Sequence, residues 1–261
     1  MVEAKKSLGQ NFLEDTSYIE RILENASLEK SEVVLEIGPG LGALTFPLTD
    51  QASHVIAIET DPRFTEILLA ENKKNLTLIE GNVLDLDIDT LLASKNIQTK
   101  TYSVIANIPY YITAPIIRRL LALHIQPRQI ILMVQDEVAL RLIAKPGQMS
   151  LLSVMAQYSA SVEKLFFVPR EAFSPIPKVD SAVIKITPRA LVDSKEEKRF
   201  FRIVKAGFQA KRKTLTNNLT SLTGKSKEEL EALLVDLGLR PDIRAQALSL
   251  TDWQHLVERL S

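Results

Sequence analysis

Short runs of aliphatic and β-branched residues recur through the first two-thirds of the chain, at 33–38, 54–60, 76–83, 102–108, 129–135 and 181–186. Between them, apolar residues fall at helical spacing over 18–26, 41–51, 63–72, 114–123, 137–143 and 151–160. Strand alternating with helix predicts βαβ units around a mostly parallel sheet. The strand runs are almost continuously apolar, as expected where both faces of a sheet are covered. The texture changes after Ile186. Pro188 stops the last strand, and only helical patterns follow, at 195–209, 211–222, 226–236 and 251–260. Ser226 with Glu229 forms a capping box, Gly238 and Pro241 close that helix, and Thr251 is expected to cap the last one. The pattern predicts an α/β domain over 1–187 and a small all-helical domain over 188–261, with the boundary near 187–192.

Composition adds bounds. The 261 residues are 46% hydrophobic and 25% charged, an ordinary globular mixture. Thirty-two basic and 32 acidic side chains cancel to a net charge of zero, which excludes a uniformly basic protein that binds nucleic acid wherever it touches it. The zero is a sum of unequal parts. Residues 1–186 hold 18 basic and 22 acidic side chains; residues 187–261 hold 14 and 10. From Lys198 to Lys227 there are nine Lys/Arg and no Asp or Glu, a local positive surface of the kind that contacts phosphates, although a charge run by itself is also how a solvated helix face reads. With no cysteine, disulfides and a thiol nucleophile are excluded. His54, His124 and His255 lie far apart without ligand spacing, so no metal site is expected. No stretch approaches the roughly 18 apolar residues of a membrane span, and the first 20 residues hold no apolar run of signal-peptide length; the expectation is a soluble, cytoplasmic protein.

Two loops carry candidate chemistry. The strand at 33–37 runs into Gly38-Pro39-Gly40-Leu41-Gly42 and then a helix. Glycines there permit a tight turn and close approach of a ligand to bare backbone. Glu59 stands 19 residues beyond Gly40 at the tip of the next strand, where a carboxylate can accept from both ribose hydroxyls. The spacing departs from the dinucleotide fingerprint Gly-x-Gly-x-x-Gly. Glu36, two residues before the first glycine, is awkward beside a pyrophosphate and suits a cationic ligand such as a sulfonium with an ammonium. The resulting E-x-G-x-G-x-G pattern is that of S-adenosylmethionine-dependent methyltransferases.

The second loop ends the strand at 102–106 in Asn107-Ile108-Pro109-Tyr110-Tyr111. An exocyclic adenine amine is a poor nucleophile because its lone pair is delocalised into the ring. An Asn carbonyl and a backbone carbonyl held by the following proline can accept both its N–H bonds. Those bonds favour a pyramidal nitrogen and stabilise the positive charge of attack. Tyr110 offers a face on which the base can stack. No general base is needed, because the product ammonium is acidic.

With these residues the chain resembles the small-subunit ribosomal RNA adenine dimethyltransferases, the KsgA/RsmA family, over nearly its whole length. Gln10-Asn11-Phe12-Leu13 is similar to the family's N-terminal cofactor segment, Phe173-Ser174-Pro175-Ile176-Pro177-Lys178-Val179-Asp180-Ser181 to its F-x-P-x-P-x-V-x-S element, and Lys211-Arg212-Lys213-Thr214-Leu215 to its basic C-terminal element. The resemblance implies a Rossmann-like class I methyltransferase sheet with flanking helices. It implies S-adenosyl-L-methionine as cofactor, held by Asn11, Leu13, Glu36, Gly38, Gly40, Glu59, Asn82 and Asn107. Catalysis falls to Asn107, Pro109 and Tyr110, with Phe173 covering the opposite face of the flipped adenine. Lys211, Arg212 and Lys213 are implied to bind RNA. The partners are the small ribosomal subunit and its rRNA, with no membrane, and the protein is expected to be a monomer. The alternatives are a large-subunit rRNA methyltransferase of the resistance type and a ribosome-assembly factor with weak catalysis.

Three departures from the family pattern stand out. Asn82 replaces the usual Asp, and its oxygen can still accept from the cofactor's adenine amino group. The segment after Pro146-Gly147 is short. Asp136 stands where the family commonly has Lys.

Overall fold

The computed structural model describes residues 10–190 and 194–260. The segment before Gln10, read above for a leader, and residues 191–193 of the expected boundary lie outside the described residues. In chain order the elements are β1 (Phe12–Leu13), α1 (Thr16–Ala26), β2 (Val33–Ile37), α2 (Thr45–Gln51), β3 (His54–Glu59), α3 (Pro62–Ala70), β4 (Leu76–Glu80), α4 (Ile88–Ser94), β5 (Tyr102–Asn107) and α5 (Thr113–Leu121). There follow β6 (Gln129–Gln135), α6 (Asp136–Leu142), α7 (Leu151–Ser159), β7 (Ala160–Val168), β8 (Phe173–Ser174), β9 (Ser181–Pro188), α8 (Ser194–Gly207), α9 (Leu215–Thr223), α10 (Lys227–Asp236) and α11 (Leu250–Arg259).

The apolar runs become a seven-stranded sheet of order β4-β3-β2-β5-β6-β9-β7. The five strands from β4 to β6 are parallel, β9 runs antiparallel to β6, and β7 runs antiparallel to β9. The interior strands β2, β3, β5 and β6 are buried along almost their full length, which is why their sequences carry no polar alternation. Edge strand β7 does alternate, and a bulge at Lys164–Phe166 interrupts its ladder. Asp15, Asp61 and Asp87 cap α1, α3 and α4 by accepting from backbone amides of the first turn.

The chain divides into two compact units. One comprises residues 1–139 and 160–188, the other residues 140–159 and 189–261. The helical unit therefore takes α7 from within the stretch that the sequence pattern assigns to the α/β domain. The reason is packing: Met149 and Val154 join Phe200, Ile203, Leu215, Leu219, Trp253 and Leu256 in one apolar core. The short segment after Pro146 belongs there too, since Gly147 and Met149 both donate backbone hydrogen bonds to the Gln246 carbonyl.

Two local expectations need correction. The cap of α11 is Ser249, in a capping box with Asp252, and Thr251 lies inside the helix. Lys211, Arg212 and Lys213 are exposed in a turn before α9 rather than on a helix, because Thr214 caps α9 at Leu215. The capping box of Ser226 and Glu229 forms as expected.

Candidate active site

Strands β4, β3, β2 and β5 end side by side, and the four ligand-facing segments follow those ends. Glu36 and the glycine loop leave β2, Glu59 closes β3, Asn82 lies just beyond β4, and Asn107 closes β5. Winding reverses between β2 and β5, where open α/β sheets form a ligand crevice. There a cavity of about 880 Å³ is lined by Asn11, Leu13, Glu36, Gly38, Gly40, Glu59, Asn82, Asn107, Pro109 and Tyr110. Residues spread over a hundred positions thus share one wall.

Gly38 and Gly40 have φ of 69° and 55°, the left-handed region that disfavours side chains. A Cβ on Gly38 would stand 3.8 Å from Cδ of Pro109, so the glycine loop and the Asn107 loop pass close to each other. Glu59 is locked by its surroundings. Its Oε1 accepts from the amides of Thr60 (2.7 Å) and Asp61 (2.8 Å), and its Oε2 from Gly40 at 3.1 Å. Oε2 keeps a lone-pair direction for a ligand hydroxyl.

Glu36 differs. It is 1% exposed, and its Oε2 has no hydrogen-bond partner among the described residues. Burial pushes its carboxyl up to about 8; the Thr45 hydroxyl nearby opposes the rise, and the Glu59 charge adds to it. The Thr45 contact falls short of hydrogen-bond geometry, as the Thr45 hydroxyl is also unpartnered, so burial dominates. A buried carboxyl without a partner, on the wall of an open cavity, is a receptor for a cation. Bare glycine backbone, an acceptor for hydroxyls and an orphaned acid together fit the ribose and charged methionine end of S-adenosylmethionine.

Asn82 is already half engaged. Its Oδ1 accepts from the Leu84 amide at 3.0 Å, and its Nδ2 donates to Asp85 Oδ2 at 2.9 Å. One lone pair of Oδ1 remains for the cavity. Asp85 is not on the cavity wall; it orients Asn82.

At the acceptor end, Ile108 is buried and Pro109 is extended, fixing the Ile108 carbonyl. The Tyr110 hydroxyl lies 2.5 Å from that of Ser181, a residue in β9 with no exposure. Burial raises the Tyr110 hydroxyl above its ordinary value, the Ser181 hydrogen bond opposes this, and the Asp180 charge adds to the rise. Tyr110 is therefore a neutral, anchored ring. Phe173 does not meet the expectation of a second stacking face. It is 2% exposed, lies in the core beneath the site, and is not part of the cavity wall. Its backbone pairs antiparallel with Leu13, and that ladder carries Asn11, Phe12 and Pro175 to the cavity. Asp136 is offset by Lys164, whose Nζ lies 2.5 Å from Oδ1.

Sequence reasoning assigned no role to Phe12, Ser181 or Tyr111. Phe12 packs edge-on against Phe64 and covers Gly40. Ser181 sits inside a quoted motif, which was its only signal. Tyr111 lines the cavity yet is 62% exposed. Among the described residues no His/Cys/Asp/Glu group could hold a metal ion, and no helix is long and apolar enough to cross a membrane.

Comparison with known proteins places this geometry. The ribosomal RNA adenine dimethylase family matches residues 1–261. The chain is 42% identical to the ribosomal RNA small subunit methyltransferase A of Streptococcus thermophilus, over 98% of this chain and 91% of that one. It is 40% identical to the protein of the same name from Bacillus mycoides, with the same coverage. Among solved structures it is similar to a dimethyladenosine transferase from Plasmodium falciparum, with a TM-score of 0.76, 26% identity and coverage of 95% and 96% of the two chains. It is also similar to the 23S rRNA methyltransferase ErmE, with a TM-score of 0.74, 28% identity and coverage of 95% and 99%. The class I methyltransferase sheet, the cavity at its switch point and these matches agree: the chain belongs to the ribosomal RNA adenine dimethylase family and is a methyltransferase that uses S-adenosylmethionine.

Proposed function

We propose that the protein dimethylates N6 of two adjacent adenosines in the 3′-terminal hairpin of small-subunit rRNA. The observation that carries this reading is the Asn107–Tyr110 loop, which opens into the same cavity as Glu36 and Glu59. When bound, S-adenosylmethionine supplies a sulfonium-borne methyl group. Glu36 receives the positive end of that cofactor, Glu59 its ribose, and Asn82 its adenine. Asn11 and Leu13 line the pocket from β1. The target adenine stacks on Tyr110, held by Ser181. The Asn107 side-chain carbonyl and the Ile108 carbonyl accept the two N–H bonds of its amine and stabilise the charge that develops on nitrogen. Holding the amine in line supplies much of the rate. Lys211, Arg212 and Lys213 contact rRNA phosphates, the small subunit is the partner, and the protein acts as a monomer in the cytoplasm.

The test is tritium transfer from S-adenosylmethionine to undermethylated small subunits, with large subunits run in parallel and the modified nucleosides mapped by mass. Dimethyladenosine in small-subunit rRNA is expected. Incorporation only into large subunits would replace this reading with the resistance-type one. Incorporation undiminished in Asn107→Ala would remove the proposed mechanism.

A further inference from the structure

The wall assigned to the adenine is a turn closed on Asn82, whose carbonyl accepts from the amides of Asp85 at 2.9 Å and Leu86 at 3.3 Å. From Gly81 to Leu86 it supplies Asn82, Val83 and Leu84 to the cavity, yet it lies between β4 and α4 and belongs to neither. Those bonds set its local shape, and a side chain from elsewhere in the fold ties it to the rest of the unit. Arg119, on α5, donates from Nη1 to the Leu84 carbonyl at 2.9 Å and from Nη2 to the Leu86 carbonyl. Its charge also lowers the carboxyl of Asp87, behind the larger effect of the hydrogen bonds that Thr90 gives that group. The guanidinium thus spans two carbonyls of one turn, a geometry that a planar fork satisfies and a single ammonium does not. Its Nε is buried without a hydrogen-bond partner among the described residues, so the side chain is committed to this contact.

The connection runs further. Helix α5 starts directly after the turn Tyr110–Ile112, and so continues the catalytic loop. One rigid helix therefore carries the adenosine-accepting loop at its start and, near its end, the clamp on the cofactor's adenine wall. We infer that Arg119 is a positioning residue that sets recognition of the cofactor's adenine, by fixing the Asn82–Leu86 turn at the distance where Asn82 Oδ1 can accept from the amino group. Asp85 works from the other side, holding the Asn82 amide in the orientation that leaves that oxygen toward the cavity. The inference rests on the assignment of Asn82 to the adenine.

The test reads selectivity rather than turnover. Binding of S-adenosylhomocysteine and of its inosine counterpart, in which a carbonyl replaces the adenine amino group, is measured by calorimetry for wild type, Arg119→Gln and Arg119→Lys. Wild type is expected to prefer the adenine form by about tenfold or more, because an oxygen acceptor facing a carbonyl is left unpaired. Arg119→Gln is expected to shrink the preference to about threefold or less by weakening the adenine form, with Arg119→Lys in between because it can reach one carbonyl. A general loss of folding would weaken both ligands equally and leave the ratio intact. Variants that keep the wild-type ratio overturn the role of Arg119. A wild type indifferent to the amino group overturns the assignment of the turn to adenine, and the inference with it. Arg119→Lys, which keeps the stem and the charge beside Asp87, serves as the readout should Arg119→Gln fail to fold.

Discussion

The two units treat charge in opposite ways. Among the described residues every buried carboxylate, Glu32, Glu36, Glu59 and Asp61, lies in the α/β unit, while the helical unit buries only Ser153, Thr216 and Asn218 among its polar side chains. Its Lys211, Arg212 and Lys213 stand in solvent on a turn. Buried charge is selective because each ion needs a placed partner. Glu32 has one in the bidentate Arg128 and the Ser103 hydroxyl, and so is structural. Glu36 differs: its Oε2 has no partner among the described residues, and burial favours its neutral form. Exposed charge is tolerant and falls with salt. On the proposed function, a small cofactor and a large polyanion are met by two different physics, one in each unit.

Four experiments would break or sharpen that contrast. The largest effect belongs to Asn107→Ala, which should lower methyl transfer by about 10²–10³-fold, as for other lost donors and acceptors that act on a developing charge. Single-turnover rates with bound subunits check this. Next, replacing Lys211, Arg212 and Lys213 together by Gln should reduce the slope of log affinity against log salt for rRNA by about 2–3, while affinity for S-adenosylhomocysteine stays as it was. An unchanged slope would dissolve the division of labour between the units.

Third, the raised carboxyl of Glu36 makes cofactor binding depend on pH. A cation prefers the ionised acid, so affinity for S-adenosylmethionine should rise by up to about tenfold per pH unit below the value near 8 and release a proton on binding. Glu36→Gln should flatten that profile and weaken binding at pH 8. The sign for stability is opposite. A carboxyl held above its ordinary value favours the folded state at low pH, and that favour is lost as pH rises through about 8. The empty Glu36→Gln protein should therefore melt higher than wild type at pH 9. The smallest effect is Ser181→Ala, which strips the Tyr110 hydroxyl of its partner. A loss of about 1–3 kcal/mol in stability and a severalfold fall in kcat are expected, with cofactor affinity unmoved.

Legibility from sequence followed the length over which a pattern repeats. The buried strands and the amphipathic helices announced themselves over five or more residues, and the glycine loop with Glu36 and Glu59 marked residues that line one cavity. The two-residue strands β1 and β8 have no period to show, so their pairing, and with it the fate of Phe173, was hidden. Phe173 carries a motif, but a motif does not say which way a ring turns; here it turns into the core. Edge strand β7 was missed because its Ser, Glu and Lys positions read as polar. The assignment of α7 to the helical unit was invisible because its apolar residues fit either core equally well by spacing.

The ladder of β1 with β8 ties Phe12 and Leu13 to residues more than 150 positions later. During synthesis Asn11 and Phe12 are made about 160 residues before Phe173 and Ser174, and must wait for them before their side of the pocket can close. Glycine loop, Glu59 and Asn107 are all made in the meantime. A cofactor that needs the β1 wall would therefore bind only a nearly finished α/β unit, and its capture would mark the moment at which that unit is complete.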